Sequence, residues 1–172
     1  VVATTRPETM LGDTGVAVNP KDERFGHLVG KTVKLPLVDR EIPIFADWHV
    51  DTEFGTGCVK VTPSHDPNDW AMGERAGLER INIFDETAHV VEGYGKFSGM
   101  DRDEAREAIV AAFEELGLLD HVEDHDHSVM TCYRCHTKLE PWESEQWFVA
   151  VDALKEPAAR VVEDGSIQFH PA

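Results

Sequence analysis

The 172-residue sequence contains few cysteines, few aromatic residues and few basic residues, and these scarcities exclude several classes of protein. Its three cysteines, two of them in one C-x-x-C, do not suggest the disulfide framework of a small secreted domain. No run approaches the roughly 20 apolar residues of a membrane-spanning helix, and no secretion signal is present. We therefore expect a cytoplasmic protein that does not contact a membrane.

The shortage of basic residues limits the contacts that this chain can make with nucleic acid. Sixteen Lys and Arg stand against 33 Asp and Glu, so the net charge is −17. Phosphate contacts require clustered basic groups, which argues against broad binding along RNA or DNA. An acidic surface is otherwise typical of high solubility. Any contact with RNA is expected to involve only a short end.

The length suits one domain with a small appendage, and the 41% of hydrophobic residues can form an ordinary core. The first residues resemble the inside of a strand, and no closing element follows the last ones. We therefore expect a monomeric piece of a longer protein. The predicted core covers 1–130, and 131–172 would hold the C-x-x-C and return toward the remainder of that protein.

Many short strands and a few helices predict an α+β domain, with flanking helices on a curled, mostly antiparallel β-sheet or barrel. Capping residues, glycine stops and apolar stripes predict four helices. Alternating and β-branched runs predict the strands. The predicted helices are 20–30, 66–77, 101–117 and 152–165. The predicted strands are 1–6, 14–19, a hairpin in 31–46, 57–63, a pair in 81–95, and strand-like runs in 118–151.

The stretch "GTGCVKVTPSHDPNDW" gathers polar residues directly after a strand, at Lys60, Thr62, His65, Asp66 and Asp69. A D-P-x-D sequence is an ordinary helix start, in which Asp66 caps the helix and Asp69 interacts with its dipole. A helix N-terminus just past a strand is also a place where ligands bind. For Lys60 the alternative is a solvated strand residue, and for His65 a loop or packing residue.

A second polar stretch, "TTRPETMLGDTG", carries hydroxyls at Thr4, Thr5 and Thr9 beside the guanidinium of Arg6. Hydroxyls next to a fork of N–H donors suit a sugar, a phosphate or a carbonyl oxygen. The alternative is a strand followed by an ordinary turn, and composition does not separate the two.

The C-x-x-C at Cys132 and Cys135 has the spacing of zinc ligands, but a structural zinc normally requires four. His127 or His136 could complete such a site only with further ligands. Cys58 lies in a strand and is more typical of a core residue. A reduced C-x-x-C turn therefore remains the alternative to zinc.

Three stretches together resemble the editing domain inserted in valyl-tRNA synthetases: "ATTRPETMLGDTGVAVNPKDER", "GTGCVKVTPSHDPNDW" and "CYRCHTKLEPWESEQWFV". The resemblance covers nearly the whole chain, in the expected order. Isoleucine relatives usually have Thr-Thr-Thr-Pro where this chain has Thr-Thr-Arg-Pro. They also usually have His at Lys60 and Gly at Asp66, so the differences favour valine over an isoleucyl-type editing domain.

The resemblance implies hydrolysis of threonine from the 3′ ester of tRNA(Val). A valine pocket cannot strongly reject the nearly isosteric threonine, and valyl-tRNA synthetase is itself the standard example of this limit. Lys60 and Asp66 would read the threonine hydroxyl, Asp69 would pair with the α-ammonium, and Thr62 would order the water. By resemblance, catalysis falls to Lys60, Thr62 and Asp69, and substrate binding to Thr4, Thr5, Arg6, Thr9, His65 and Asp66.

The resemblance leaves the general base open between His65 and a vicinal hydroxyl of the substrate. No Ser-His-Asp arrangement is visible in the sequence. The resemblance implies no cofactor for editing, and a structural zinc at Cys132 and Cys135 only in the full-length enzyme. It also implies that the remainder of the synthetase is a partner of this domain. The other hypotheses are a non-catalytic module that binds the tRNA 3′ end and a zinc-ribbon interaction domain.

Overall fold

A four-stranded mixed sheet lies at the centre of residues 1–170, which the computed structural model describes. The sheet order is β2-β3-β1-β4; β2 pairs with β3 and β1 with β4 in antiparallel fashion, and β1 with β3 in parallel. The predicted α+β fold and mostly antiparallel sheet are confirmed, and the sheet of the described residues is open rather than closed into a barrel. The strands are β1 (Gly15–Val18), β2 (Thr32–Leu35), β3 (Arg40–Ala46) and β4 (Cys58–Val61).

The β2–β3 hairpin and the strands β1 and β4 lie where the sequence predicts them. The hairpin turn requires left-handed backbone at Leu37 (φ 70°) and Asp39 (φ 55°). In β1 and β4 the register pairs Val16 with Lys60, which brings the two polar stretches of the sequence together.

Helix α1 (Pro67–Ala76) begins and ends at the predicted residues. The Asp66 carboxylate accepts hydrogen bonds from the backbone N–H groups of Asn68 and Asp69, and Gly77 ends the helix in the left-handed region at φ 66°. The predicted N-cap is therefore confirmed, and the cap fixes the direction in which the chain leaves β4.

Helices α2 (Arg102–Glu115) and α3 (Asp152–Glu163) confirm two further predictions. Asp101 and Glu104 form the predicted capping box at the start of α2. Helix α3 contributes no buried side chain. Among residues 1–170, none of the helices has the length and apolar character needed to cross a membrane.

The predictions were wrong where short polar side chains turn the chain locally. The Thr4 hydroxyl accepts from Arg6 N, and 1–6 is not a strand; a 3₁₀ helix, Pro7–Gly12, follows. The Asp22 carboxylate accepts from Arg24 N, and only one 3₁₀ turn forms within 20–30. In 81–95 and 118–151, single bridges (Phe84–Val90 and Thr131–Lys138) replace the predicted strands.

The larger apolar core joins the 3₁₀ helix Pro7–Gly12 to α2. Leu11 packs in one buried cluster with Phe84, and with Ile109 of α2. A second cluster, which includes Ala17 and Val61, lies between the sheet and α1. The 3₁₀ helix is thereby held against α2.

We expect Ile109→Ala to destabilise the fold by about 2–5 kcal/mol, because it leaves a cavity under the 3₁₀ helix that carries Thr9. Leu116→Ala, at an exposed position of the same helical region, is the control and should cost no more than about 0.5 kcal/mol. Urea unfolding measures both. Equal losses would show that α2 is not the main support of this core.

Candidate functional site

A buried ammonium group forms the centre of the candidate site. Lys60, in β4, is 8% exposed, and its Nζ lies 2.8 Å from Thr9 Oγ1, 2.7 Å from Thr62 Oγ1 and 3.3 Å from Asp13 Oδ1. An ammonium has three hydrogens, and three oxygens of the protein accept them. Lys60 is therefore not the solvated strand residue that was its alternative explanation.

Thr62 connects Lys60 to two carboxylates. Its hydroxyl donates to Asp13 Oδ1 at 2.5 Å, and its backbone N–H donates to Asp69 Oδ2 at 2.9 Å. Gly12 makes the close packing possible, since a Cβ there would lie 3.2 Å from the Thr62 methyl and 2.9 Å from Ile83.

Asp69 lies in the first turn of α1 and is 8% exposed. Burial raises the pKa of its carboxyl to about 6; Lys60 and the Thr62 N–H act in the opposite direction, and Asp66 and Asp13 add to the rise. The carboxyl is therefore charged at neutral pH and gains its proton in mild acid.

Both ring nitrogens of His65 are engaged inside the protein. Nε2 accepts the backbone N–H of Ile83 at 3.0 Å, and Nδ1 lies 3.2 Å from the carbonyl of Pro141, so the proton is on Nδ1. Burial lowers the pKa of His65 to about 4. The structure places this histidine as a neutral link between the β4 loop and two later segments.

Arg6 lies at the rim of the site and is partly exposed. Its guanidinium donates to Glu8 Oε1 (3.1 Å), to the His65 carbonyl (3.0 Å) and to Glu140. These acidic partners raise the pKa of Arg6 despite the opposing effect of its burial. Three of its five N–H donors are used, and two remain for a ligand.

Thr4 and Thr5 lie on the chain that leads into the site. The Thr4 hydroxyl is exposed and accepts the backbone N–H of Arg6, while the Thr5 carbonyl accepts from Arg106 of α2. Neither hydroxyl contacts the Lys60 cluster in a hydrogen bond between described residues. The structure therefore brings Thr9, Lys60, Thr62 and Asp69 together and leaves Thr4 and Thr5 at the periphery.

The segment 140–143, from the region predicted to be an extension, packs beside Arg6 and His65. Besides the contacts of Glu140 and Pro141, Trp142 Nε1 donates to the carbonyl of Phe84, and Glu143 accepts from Arg80. The domain division at 130/131 stays a prediction, but this short segment packs on the core.

Two acidic residues of the site, Asp13 and Glu140, are absent from the sequence-based list. Asp13 stands inside the second polar stretch, and its signal is that a lysine assigned to a substrate site needs a counter-ion nearby. Glu140 had no such signal, because it lies 134 residues away from its partner Arg6.

The cysteines do not assemble a complete metal site within the described part of the chain. Cys132 and Cys135 flank a turn in which Cys135 Sγ contacts Thr137 Oγ1 at 3.3 Å, and Cys58 is half-buried in β4. No group of three or more candidate ligands occurs in residues 1–170. The residues present therefore do not fit a tetrahedral zinc by themselves.

A family model, "Leucyl-tRNA synthetase, editing domain", matches residues 17–114. The chain belongs to this family of synthetase editing domains. It is 58% identical over 171 residues to the valine–tRNA ligase of Thermotoga maritima and 56% identical over 170 residues to that of Clostridium tetani. These alignments cover 99% of this chain but 20% and 19% of the relatives, so the chain spans about a fifth of their length.

Solved structures agree on the fold. The agnB2 LeuRS of Agrobacterium radiobacter K84, in a ternary complex with tRNA and LeuAMS, matches with a TM-score of 0.52 at 23% identity, over 66% of this chain and 16% of that one. GlLeuRS-CP1 matches with a TM-score of 0.57 at 15% identity, over 74% of this chain and 83% of that one. The family match confirms the predicted synthetase editing domain.

We expect Asp69→Asn to stabilise the domain at neutral pH. Because burial raises the pKa of Asp69, the folded state holds the proton more tightly than the unfolded state does. The stability that this carboxyl contributes is complete below about pH 4 and is lost as the pH rises through about 6. Above about pH 6, the ionised carboxyl lowers the free energy of unfolding by roughly 2–3 kcal/mol relative to the protonated form.

The measurement is the difference in unfolding free energy between wild type and Asp69→Asn from pH 4 to pH 8. It should move in favour of the variant as the pH rises. Asp103→Asn, in the first turn of α2 and exposed, is the control. A difference for Asp69→Asn that does not change with pH would contradict the raised pKa.

Proposed function

We propose that this chain is the editing domain of a valine–tRNA ligase and that it hydrolyses threonine from the 3′ end of tRNA(Val). The buried polar cluster around Lys60 is the main observation that supports this proposal. A site that accepts threonine and rejects valine must leave polar groups unpaired when valine binds, and an apolar pocket would do the reverse.

Asp69 is suited to bind the α-ammonium of the aminoacyl group. One carboxylate oxygen accepts the Thr62 N–H, which fixes the side chain and leaves the other oxygen for a ligand. Its charge above about pH 6 matches an ammonium, and the low exposure of the carboxylate strengthens the attraction.

Lys60 acts on the substrate through the two hydroxyls that it holds. The Thr9 hydroxyl donates to the Arg6 carbonyl and the Thr62 hydroxyl donates to Asp13, while both accept from Lys60. Each oxygen keeps one lone pair. Both can therefore accept a hydrogen from the attacking water or from the substrate, and neither can donate to it.

Asp66 is suited to read the threonine hydroxyl. Its Oδ1 caps α1, which leaves the second oxygen of a half-buried carboxylate at the same helix N-terminus as Asp69. A threonine hydroxyl can donate to that oxygen, whereas the corresponding methyl of valine cannot. Burying the carboxylate against a methyl would cost about 1–3 kcal/mol or more.

Arg6 and the neighbouring hydroxyls of Thr4 and Thr5 are suited to the terminal adenosine and the ester carbonyl. The two remaining N–H donors of Arg6 can stabilise negative charge that develops on the ester oxygen. His65 is a poor candidate for the general base, since the lone pair of Nε2 is occupied by Ile83. An aminoacyl ester is reactive, so an ordered water and a vicinal substrate hydroxyl suffice in this proposal.

The partners follow from the charge and from the exposed apolar residues. A net charge of −17 leaves room for contact with the tRNA 3′ end but not with a long stretch of phosphates. Trp147, Phe148 and Leu154 are exposed near or on α3, and the remainder of a synthetase would cover them. Such a ligase works in the cytoplasm, and we propose that location here.

The test measures deacylation of threonyl-tRNA(Val) and valyl-tRNA(Val) by the full-length protein and by this chain alone. Threonine should be released and valine retained. Asp69→Asn should abolish release, because no charge remains for the ammonium, while Asp103→Asn should leave it unchanged. Binding of tRNA without release would favour the non-catalytic module, and release of valine would contradict the proposed specificity.

We expect Asp66→Gly to lower the ratio of threonine to valine hydrolysis, through slower release of threonine and some release of valine. Glycine is a tolerable N-cap and costs only a few tenths of a kcal/mol, so the domain should fold. Asp101→Gly removes the equivalent cap of α2 and is the matched control. An unchanged ratio in Asp66→Gly would mean that Asp66 is only a cap.

A further inference from the structure

Asp13, a buried carboxylate next to Lys60, has no role among the residues assigned so far. Asp13 is 1% exposed and lies between the 3₁₀ helix Pro7–Gly12 and β1. Its Oδ1 accepts from both Lys60 Nζ and the Thr62 hydroxyl. Asp13 touches the two groups that the proposed reaction uses and is shielded from solvent itself.

Lys60 requires a counter-ion because an isolated ammonium is very costly to bury. The other two acceptors, Thr9 and Thr62, are neutral hydroxyls. Among the described residues, the carboxylate that forms a salt bridge with Lys60 is that of Asp13. Asp13 also depends on Lys60: burial raises the pKa of the Asp13 carboxyl, and the charge of Lys60 offsets part of that rise.

Charge within the cluster determines which residue can receive a substrate ammonium. Lys60 and Asp13 cancel each other, and Asp69 then supplies a net charge of −1. If Asp13 were neutral, Asp69 would become the nearest counter-ion of Lys60, and the cluster would carry no net charge to attract an ammonium. Loss of the Asp13 acceptor oxygen would also release the Thr62 hydroxyl from its fixed direction.

We propose that Asp13 is a positioning residue of the site, which neutralises Lys60 and orients the Thr62 hydroxyl so that Asp69 stays available for the substrate ammonium. This role rests on the proposed function, since it concerns the editing of an aminoacyl ester. Asp13 contacts no substrate in this scheme and acts through Lys60, Thr62 and Asp69.

The first experiment compares Asp13→Asn with wild type in the full-length protein. Asparagine keeps the size and one acceptor oxygen but removes the charge. We expect kcat/KM for threonyl-tRNA(Val) to fall on the order of tenfold or more, mainly through KM. Asp47→Asn is the matched control, because Asp47 is a buried carboxylate paired with Arg75 and outside the Lys60 cluster. It should keep wild-type kinetics.

The second readout does not depend on activity. The charged groups that act on Asp69 are Lys60, Asp66 and Asp13, and the charge of Asp13 raises the pKa of Asp69. The pKa of Asp69, followed by carboxyl ¹³C NMR, should therefore drop in Asp13→Asn and stay near wild type in Asp47→Asn. The acid limb of the rate–pH profile should move to lower pH with it.

The outcomes separate this proposal from the proposed function. If the wild-type protein releases no threonine, the proposed function fails, and the NMR titration still decides whether Asp13 controls Asp69. A wild-type kcat/KM in Asp13→Asn, or a loss no larger than its unfolded fraction with an unmoved pKa of Asp69, overturns the positioning role.

A further pair of variants applies if Asp13→Asn does not fold. Lys60→Met and the double variant Lys60→Met/Asp13→Asn both lack the buried ammonium that Asp13→Asn alone would leave unpaired. If the charge of Asp13 acts on Asp69, the pKa of Asp69 should be lower in the double variant than in Lys60→Met. Equal pKa values of Asp69 in the two variants would overturn the proposal.

Discussion

The ammonium of Lys60 is the constraint on which the arrangement of the site depends. A strand places it in the interior, where a positive charge is stable only with oxygen acceptors and a counter-ion. Those acceptors come from three places in the chain: Thr9 from the 3₁₀ helix, Asp13 from the link between that helix and β1, and Thr62 from the position directly after β4. Satisfying one buried charge therefore holds the second polar stretch, 4–15, against the sheet.

Burial also separates the roles of Asp69 and His65, the two titratable groups near the N-terminus of α1. Burial moves the pKa of Asp69 up to about 6 and that of His65 down to about 4, so at neutral pH the first is charged and the second is neutral. His65 uses both nitrogens to hold the chain together. Asp69 keeps an oxygen for a ligand, at a cost in stability that a purely structural residue would not carry.

Several features of this site were accessible from the sequence because they are local. The D-P-x-D signature predicts the cap and the direction of α1, and the capping box predicts α2, since a helix start depends on residues within four positions. The long stretches around Arg6 and Lys60 were sufficient to predict the editing-domain family. Predictions failed at 1–6 and 20–30, where a single side chain turns the backbone and overrides strand or helix propensity.

The sequence by itself determined the fold class, the helix ends and the gathering of Lys60, Thr62, Asp66 and Asp69 in one short stretch. Only the tertiary structure decided which of these residues are satisfied within the protein and which can face a ligand. Counter-ions and hydrogen-bond partners are chosen by distance in space, as with Asp13, 47 residues from Lys60 along the chain. Burial, which sets each pKa and the strength of each charge, is likewise a property of the packed chain alone.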